Sequence, residues 1–225
     1  MPSSVRCLVF DFDGVLVDSN AVKREAYFEA LRPVGAPPSL VEKVVNDNRD
    51  GDRYVVIREV IRRLPDGGGA GEVAERRVEE CADRYNAICE EFTATCREME
   101  GASGMLARLS ARYALYVNSA TPEVPLRRVV ERRGWRAYFR DVLGRPRTKA
   151  ENLRDIIARE GLTPTEVVMI GDSAADLDAA RACGCAFVGL RGDAFDTREV
   201  VVVERLAELE RAIEKTRAGG IDARR

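Results

Sequence analysis

Two aspartates, Asp11 and Asp13, stand directly after the strand-forming run Val5-Arg6-Cys7-Leu8-Val9-Phe10. Gly14 and the apolar stretch Val15-Leu16-Val17 follow them. Strand formers running into glycine read as a buried strand that delivers a loop. In an open α/β sheet, ligands bind outside the carboxyl ends of the strands, so this spacing puts both acids where a substrate would sit. Carboxylates that close repel unless a proton or a cation stands between them, and a hard cation such as Mg²⁺ suits their oxygens.

Three further loops offer polar groups after apolar runs. Ser119 ends Ala114-Leu115-Tyr116-Val117-Asn118; its hydroxyl and the neighbouring backbone N–H groups, that of Ala120 among them, could hold a phosphate oxygen. A serine after a strand is more commonly a plain turn residue. Lys149 opens a helical segment, where the macrodipole disfavours a cation. Such an ammonium could neutralise phosphate or separate clustered carboxylates, with Arg145 and Arg147 as the nearby alternatives. Val168-Met169-Ile170 runs into Gly171-Asp172-Ser173-Ala174-Ala175-Asp176. Acids at a helix start serve equally as caps or as ligands.

The chain contains no histidine. That excludes Ser-His-Asp triads, histidine bases and histidine metal sites, and leaves carboxylates, Lys, Ser and Thr to do any chemistry. A formal charge of −2 argues against a general nucleic-acid binder. No run approaches the length of a membrane span, and the first residues lack a signal-peptide layout. The six cysteines form no CxxC pair, which fits small buried thiols in a reducing cytosol. Cys81, Cys89 and Cys96 read as one helix face.

The elements that must position these residues follow from periodicity and breakers. Residues 19–97 read as all helical, with helices over 20–31, 39–46, 54–64 and 72–97. Ser39 with Glu42 forms a capping-box pattern for the second. Glycine-rich residues 65–71 read as a surface loop, and residues 99–102 as a linker. From there helices (105–110, 122–133, 150–160, 174–183, 206–215) alternate with extended segments (114–118, 142–143, 167–170, 185–190). Alternation implies a doubly wound parallel sheet. The expected architecture is therefore a Rossmann-like α/β core over residues 1–18 and 98–225, with an all-helical domain inserted at 19–97.

The segment Asp11-Phe12-Asp13-Gly14-Val15-Leu16-Val17-Asp18-Ser19 resembles the first motif of the haloacid dehalogenase-like (HAD) superfamily. It is most similar to the branch that holds phosphoglycolate phosphatase and β-phosphoglucomutase. Ser119 matches the second motif, Lys149 the third, and Gly171-Asp172 with Asp176 the fourth, in the family's order. The resemblance implies a cytoplasmic Mg²⁺-dependent phosphatase of a small phosphorylated metabolite, such as a sugar phosphate or phosphoglycolate, with no nucleic-acid or membrane partner. By that resemblance Asp11 is the nucleophile that becomes an aspartyl-phosphate, and Asp13 the general acid and base. Asp11, the backbone carbonyl of Asp13 and Asp172 hold Mg²⁺, with Asp176 in support. Ser119, Ala120 and Lys149 bind phosphate, and residues 19–97 form a cap. Asn20, Lys23, Arg49 and Arg53 are its candidate specificity residues. A reference pKa near ~3.9 would leave Asp11 ionised without a base. Asp13 speaks for phosphate transfer from oxygen, since the family's dehalogenases lack that acid. Val15 keeps a sugar-phosphate mutase open, Gly171 speaks against it, and a non-catalytic HAD-like module is the third alternative.

Overall fold

The computed structural model describes residues 4–48, 52–65, 71–191 and 195–218. It divides into two compact units, residues 1–18 with 96–225, and residues 19–95.

The first unit is built on a six-stranded sheet in the order β3-β2-β1-β4-β5-β6, with every pairing parallel. The strands are β1 (Cys7–Phe10), β2 (Ala114–Pro122), β3 (Asp141–Arg145), β4 (Val167–Gly171), β5 (Ala186–Leu190) and β6 (Val201–Val203). β1 lies at the centre, and its four residues are fully buried because helices cover both faces of a parallel sheet. From β1 the chain moves outward through β2 and β3, then returns to place β4 on the other side of β1. The order reverses between β1 and β4, so the binding crevice of a doubly wound sheet falls at their carboxyl ends. Asp11 and Asp172 are the residues that follow those two ends.

The helices of this unit are α5 (Ala102–Ser110), α6 (Glu123–Arg132), α7 (Lys149–Glu160), α8 (Ala174–Cys183) and α9 (Leu209–Ala218). Gly161 and Gly184 close α7 and α8 in the left-handed conformation, at φ 62° and 71°. Three boundaries differ from expectation. β2 runs four residues past Asn118, with a register shift before Pro122 pairs with Arg145. β6, a run of three valines on the sheet edge, went unread because a strand that short carries little periodicity. Residues 99–102 do not form a loose linker: Met99 is buried, its N–H bonds to the Leu16 carbonyl, and α5 starts at Ala102.

The second unit contains α1 (Asn20–Leu31), α2 (Pro38–Asp47), α3 (Arg53–Arg62) and α4 (Glu72–Thr95). Their core joins Ala26, Tyr27, Leu31, Val44, Ile57, Val60, Cys81 and Tyr85, with the two tyrosine rings 4.4 Å apart. The capping box expected at Ser39 is absent. α2 begins one residue earlier on Pro38, whose fixed φ suits the first helical position and whose missing N–H needs no cap. Along α4 the buried face is Val78, Cys81, Ala82, Tyr85, Cys89 and Thr93. Val73 and Phe92, apolar residues of the same helix, are exposed. Thr93, four residues on from Cys89, takes the inward position, and Phe92 is rotated off it. Cys96 lies beyond the end of α4, where its carbonyl and thiol accept hydrogen bonds from Arg133 at 2.7 and 3.1 Å.

Candidate active site

Asp11 takes its place from the sheet. Its N–H bonds to the Ile170 carbonyl of β4 at 2.8 Å, which continues the ladder one step past β1. Its carboxylate accepts the N–H of Phe12 at 2.8 Å. Phe12 is fully buried and meets Trp135 edge-on. The turn then closes on Gly14, at φ 77°, whose N–H reaches the Val17 carbonyl at 2.8 Å. A side chain is disfavoured at that φ, and Val15, Leu16 and Val17 fill the interior beneath it.

Lys149 is the first residue of α7, held there by a capping box between Thr148 and Glu151. Its ammonium lies 3.1 Å from Asp11 and 2.7 Å from Asp176. Those two carboxylates explain a cation at a helix start. Of the two alternatives, Arg147 instead pairs with Asp155 at 3.3 Å, and Arg145 is exposed at the end of β3.

Asp176 is wholly buried, and Ser173 donates to it from its hydroxyl at 2.5 Å and its N–H at 3.3 Å. Gly171 makes that placement possible. A Cβ at Gly171 would lie 2.3 Å from the Asp176 side chain, closer than carbon atoms approach. The glycine before Asp172 is therefore what lets α8 bring its first-turn acid against the end of β4.

Ligand oxygens of Asp11, Asp172 and Asp176 gather within 4.8 Å of one another. Asp176, expected as a support, belongs to this cluster. The Asp13 carboxylate does not belong to it and accepts the hydroxyl of Thr121 at 3.1 Å. The cluster supplies only hard oxygen donors at a concentration of negative charge, which fits a divalent cation such as Mg²⁺.

Burial dominates the electrostatics. It pushes the Asp11 carboxyl up to about 7; Asp176 and Asp13 push the same way, and Lys149 pulls back. Burial also raises Asp176 against the opposing pull of Lys149. Lys149 itself is held above its ordinary range, since the attraction of Asp11 and Asp176 outweighs its own burial. The expectation that Asp11 sits at an ordinary carboxylate pKa is thus corrected. Its ionised form depends on the positive charge assembled around it.

Ser119 is buried on β2, and Ala120 beside it is exposed. Two buried asparagines went unread. Asn118 donates to the Lys149 carbonyl at 2.9 Å and accepts from Asn152 at 3.0 Å, which ties β2 to the start of α7. The sequence did carry a signal for both. Asn118 interrupts an apolar strand, and Asn152 lies on the same helix face as Ile156.

In the helical unit, Asn20 and Lys23 belong to the first turn of α1. Arg53 begins α3, where its guanidinium lies 5.4 Å over the Tyr85 ring and donates to Asn86. Arg49 lies outside the described residues.

The family model described as haloacid dehalogenase-like hydrolase matches residues 5–184. The chain belongs to that family. It is therefore an enzyme of hydrolase type, and its curated relatives fall in the branch that the first motif resembles. A phosphoglycolate phosphatase of Chromobacterium violaceum is 28% identical over 214 residues, covering 91% of this chain and 95% of the relative. Among solved structures, a predicted phosphoglycolate phosphatase of Haemophilus somnus 129PT superposes with a TM-score of 0.74 at 20% identity, covering 93% of this chain and 98% of that one. CbbY of Rhodobacter sphaeroides, solved with xylulose-(1,5)bisphosphate, gives 0.71 at 16% identity, covering 91% and 96%. At such identities the two structures speak for the fold. Among the described residues no helix is long and apolar enough to cross a membrane.

Proposed function

We propose that this hydrolase is a Mg²⁺-dependent phosphatase of a small phosphomonoester, a sugar phosphate or a phosphoglycolate-like acid, working through an aspartyl-phosphate. One observation carries the reading. Two carboxylates two residues apart are held differently: Asp11 pairs with Lys149 within the acid cluster, and Asp13 accepts the Thr121 hydroxyl. Carboxylates driven into different environments mark a division between nucleophile and acid–base.

Mg²⁺ would be held by Asp11, Asp172 and the backbone carbonyl of Asp13, with Asp176 behind them, and when bound it neutralises charge on Asp11 and on the phosphoryl oxygens. Asp11 attacks phosphorus as a carboxylate. Asp13 gives its proton to the departing alkoxide and later takes one from the water that opens the aspartyl-phosphate. Lys149, Ser119 and the N–H of Ala120 meet the charge that spreads over the transferring group. We assign the helical unit the role of a cap that selects the substrate, with Asn20, Lys23, Arg49 and Arg53 as the residues to test. Arg53 already has partners in Tyr85 and Asn86, so its contact with substrate would act through that stacked arrangement. Six cysteines with no disulfide among the described residues are in keeping with a cytosolic location.

The test is phosphate release from a panel of phosphomonoesters, with Mg²⁺ and with EDTA, beside Asp11→Asn. Release that needs Mg²⁺ and disappears in the variant supports the reading. No release from any member, together with isomerisation of β-glucose 1-phosphate, would replace it with the mutase.

A further inference from the structure

Thr121 stands two residues past Ser119 on the extension of β2, and it touches two motif residues at once. Its N–H donates to the Ser119 hydroxyl oxygen at 3.1 Å. Its own hydroxyl donates to the Asp13 carboxylate at 3.1 Å. Asp13 is only 7% exposed, so this is a hydrogen bond to a buried acid, the kind worth most. The position of Thr121 is itself fixed. The register of β2 against β3 shifts between Asn118 and Pro122, and such irregularities re-aim side chains. The Thr121 carbonyl is packed so closely on Gly144 that a Cβ there would lie 2.4 Å from it.

We propose that Thr121 is a positioning residue that aims Asp13 at the leaving group and orients the Ser119 hydroxyl. This rests on the phosphatase reading. In the first half-reaction a bond forms from Asp11 to phosphorus, and the bond from phosphorus to the ester oxygen breaks. The electron pair leaves on that oxygen, which takes the proton of Asp13; the products are the alcohol, the aspartyl-phosphate and ionised Asp13. Thr121 holds one Asp13 oxygen, and so sets the direction of the other. A serine hydroxyl has one proton and two lone pairs. The Thr121 N–H occupies a lone pair of Ser119, which turns the serine's proton toward a different acceptor, a phosphoryl oxygen.

The test compares kcat/KM for two kinds of leaving group, because this parameter reports the first half-reaction alone. An alkoxide needs the proton of Asp13, whereas p-nitrophenolate departs without one. The probes are p-nitrophenyl phosphate and the alkyl phosphate turned over fastest, beginning with 2-phosphoglycolate. In Thr121→Val the loss on the alkyl phosphate should exceed the loss on the aryl phosphate by about tenfold or more. Thr121→Ser, which keeps the hydroxyl, should restore the wild-type ratio. Thr121→Ala is read in the same way if the valine variant does not fold. Equal losses on both substrates, or a serine variant no better than valine, would overturn the proposal while leaving the phosphatase reading intact. Wild-type protein inactive on both substrates with Mg²⁺ would instead overturn that reading, and the proposal with it.

Discussion

Lys149 and Arg58 are both cations paired with carboxylates, one in each unit. The Lys149 side chain is 11% exposed and faces two acids that are 8% and 0% exposed. The Arg58 side chain is 50% exposed, and its partner Glu75 58%. Around Arg58 the helical unit repeats the pattern, with Arg62 and Arg63 on Glu59, and Arg24 on Glu42. Water screens such pairs, and each contributes little to stability. In the α/β unit the same chemistry is taken out of water at the ends of β1 and β4. Desolvation there is unfavourable, and removing one partner leaves a buried charge exposed to that full cost. The difference teaches where to look for function. Charges that a fold holds buried at some expense of stability are the candidates for chemistry, and charges on a solvated helix face are not.

The sharpest way to break this comparison is to remove the carboxylate proposed as nucleophile. Asp11→Asn should lower turnover by at least about 10³-fold, and the variant should stay folded. A folded variant with near-normal turnover would take Asp11 out of the chemistry. Lys149→Met comes next. It leaves Asp11 and Asp176 without their shared cation, so kcat should fall by about 10²-fold and unfolding should become easier by about 3 kcal/mol. Denaturant titration beside steady-state kinetics measures both.

Gly171→Ala adds one carbon 2.3 Å from Asp176, and it should destabilise by about 1–3 kcal/mol while lowering kcat. Gly104→Ala, where the nearest atom outside the helix backbone is 3.6 Å away, is the matched control and should stabilise α5 by about 0.5–1 kcal/mol.

The pH dependence gives a smaller effect with a definite sign. The folded Asp11 carboxyl is raised to about 7 from an ordinary 3.8, so between those values the folded state binds more protons than the unfolded one. Stability from this group is full at low pH and is lost as pH rises toward 7. In EDTA, wild-type protein should therefore lose Tm relative to Asp11→Asn, by several degrees, between pH 4.5 and 7.5. A constant gap across that range would mean Asp11 is ionised throughout. At the small end, Glu75→Gln in the helical unit should leave both Tm and kcat unchanged within error. A clear loss there would erase the contrast between the units.

Much of the candidate site was legible because its residues sit at strand ends, and strand ends are marked in the chain by where an apolar run stops. Asp11, Asp13, Ser119 and Asp172 all follow such stops. Lys149 was legible for the opposite reason, as a charge in a place its own helix disfavours. Thr121 was not legible, since its role depends on β2 continuing past the point where its apolar run ends. Asn118 and Asn152 come together only across 34 residues of chain. Cys96 looked like a third thiol on one helix face until α4 stopped a residue short of it.

The alternation of elements, the all-helical stretch, and the acids and lysine at strand and helix ends are legible in the chain alone. These are properties of local patterning, which is written residue by residue. The fold alone brings about the reversal of strand order between β1 and β4, the approach of Asp176 to the Asp11 cluster through the gap left by Gly171, and the burial that raises the Asp11 carboxyl above the ordinary carboxylate range. Each of these depends on what is brought close from elsewhere in the chain and on how much water is excluded in doing so, and neither quantity exists until the sheet has formed.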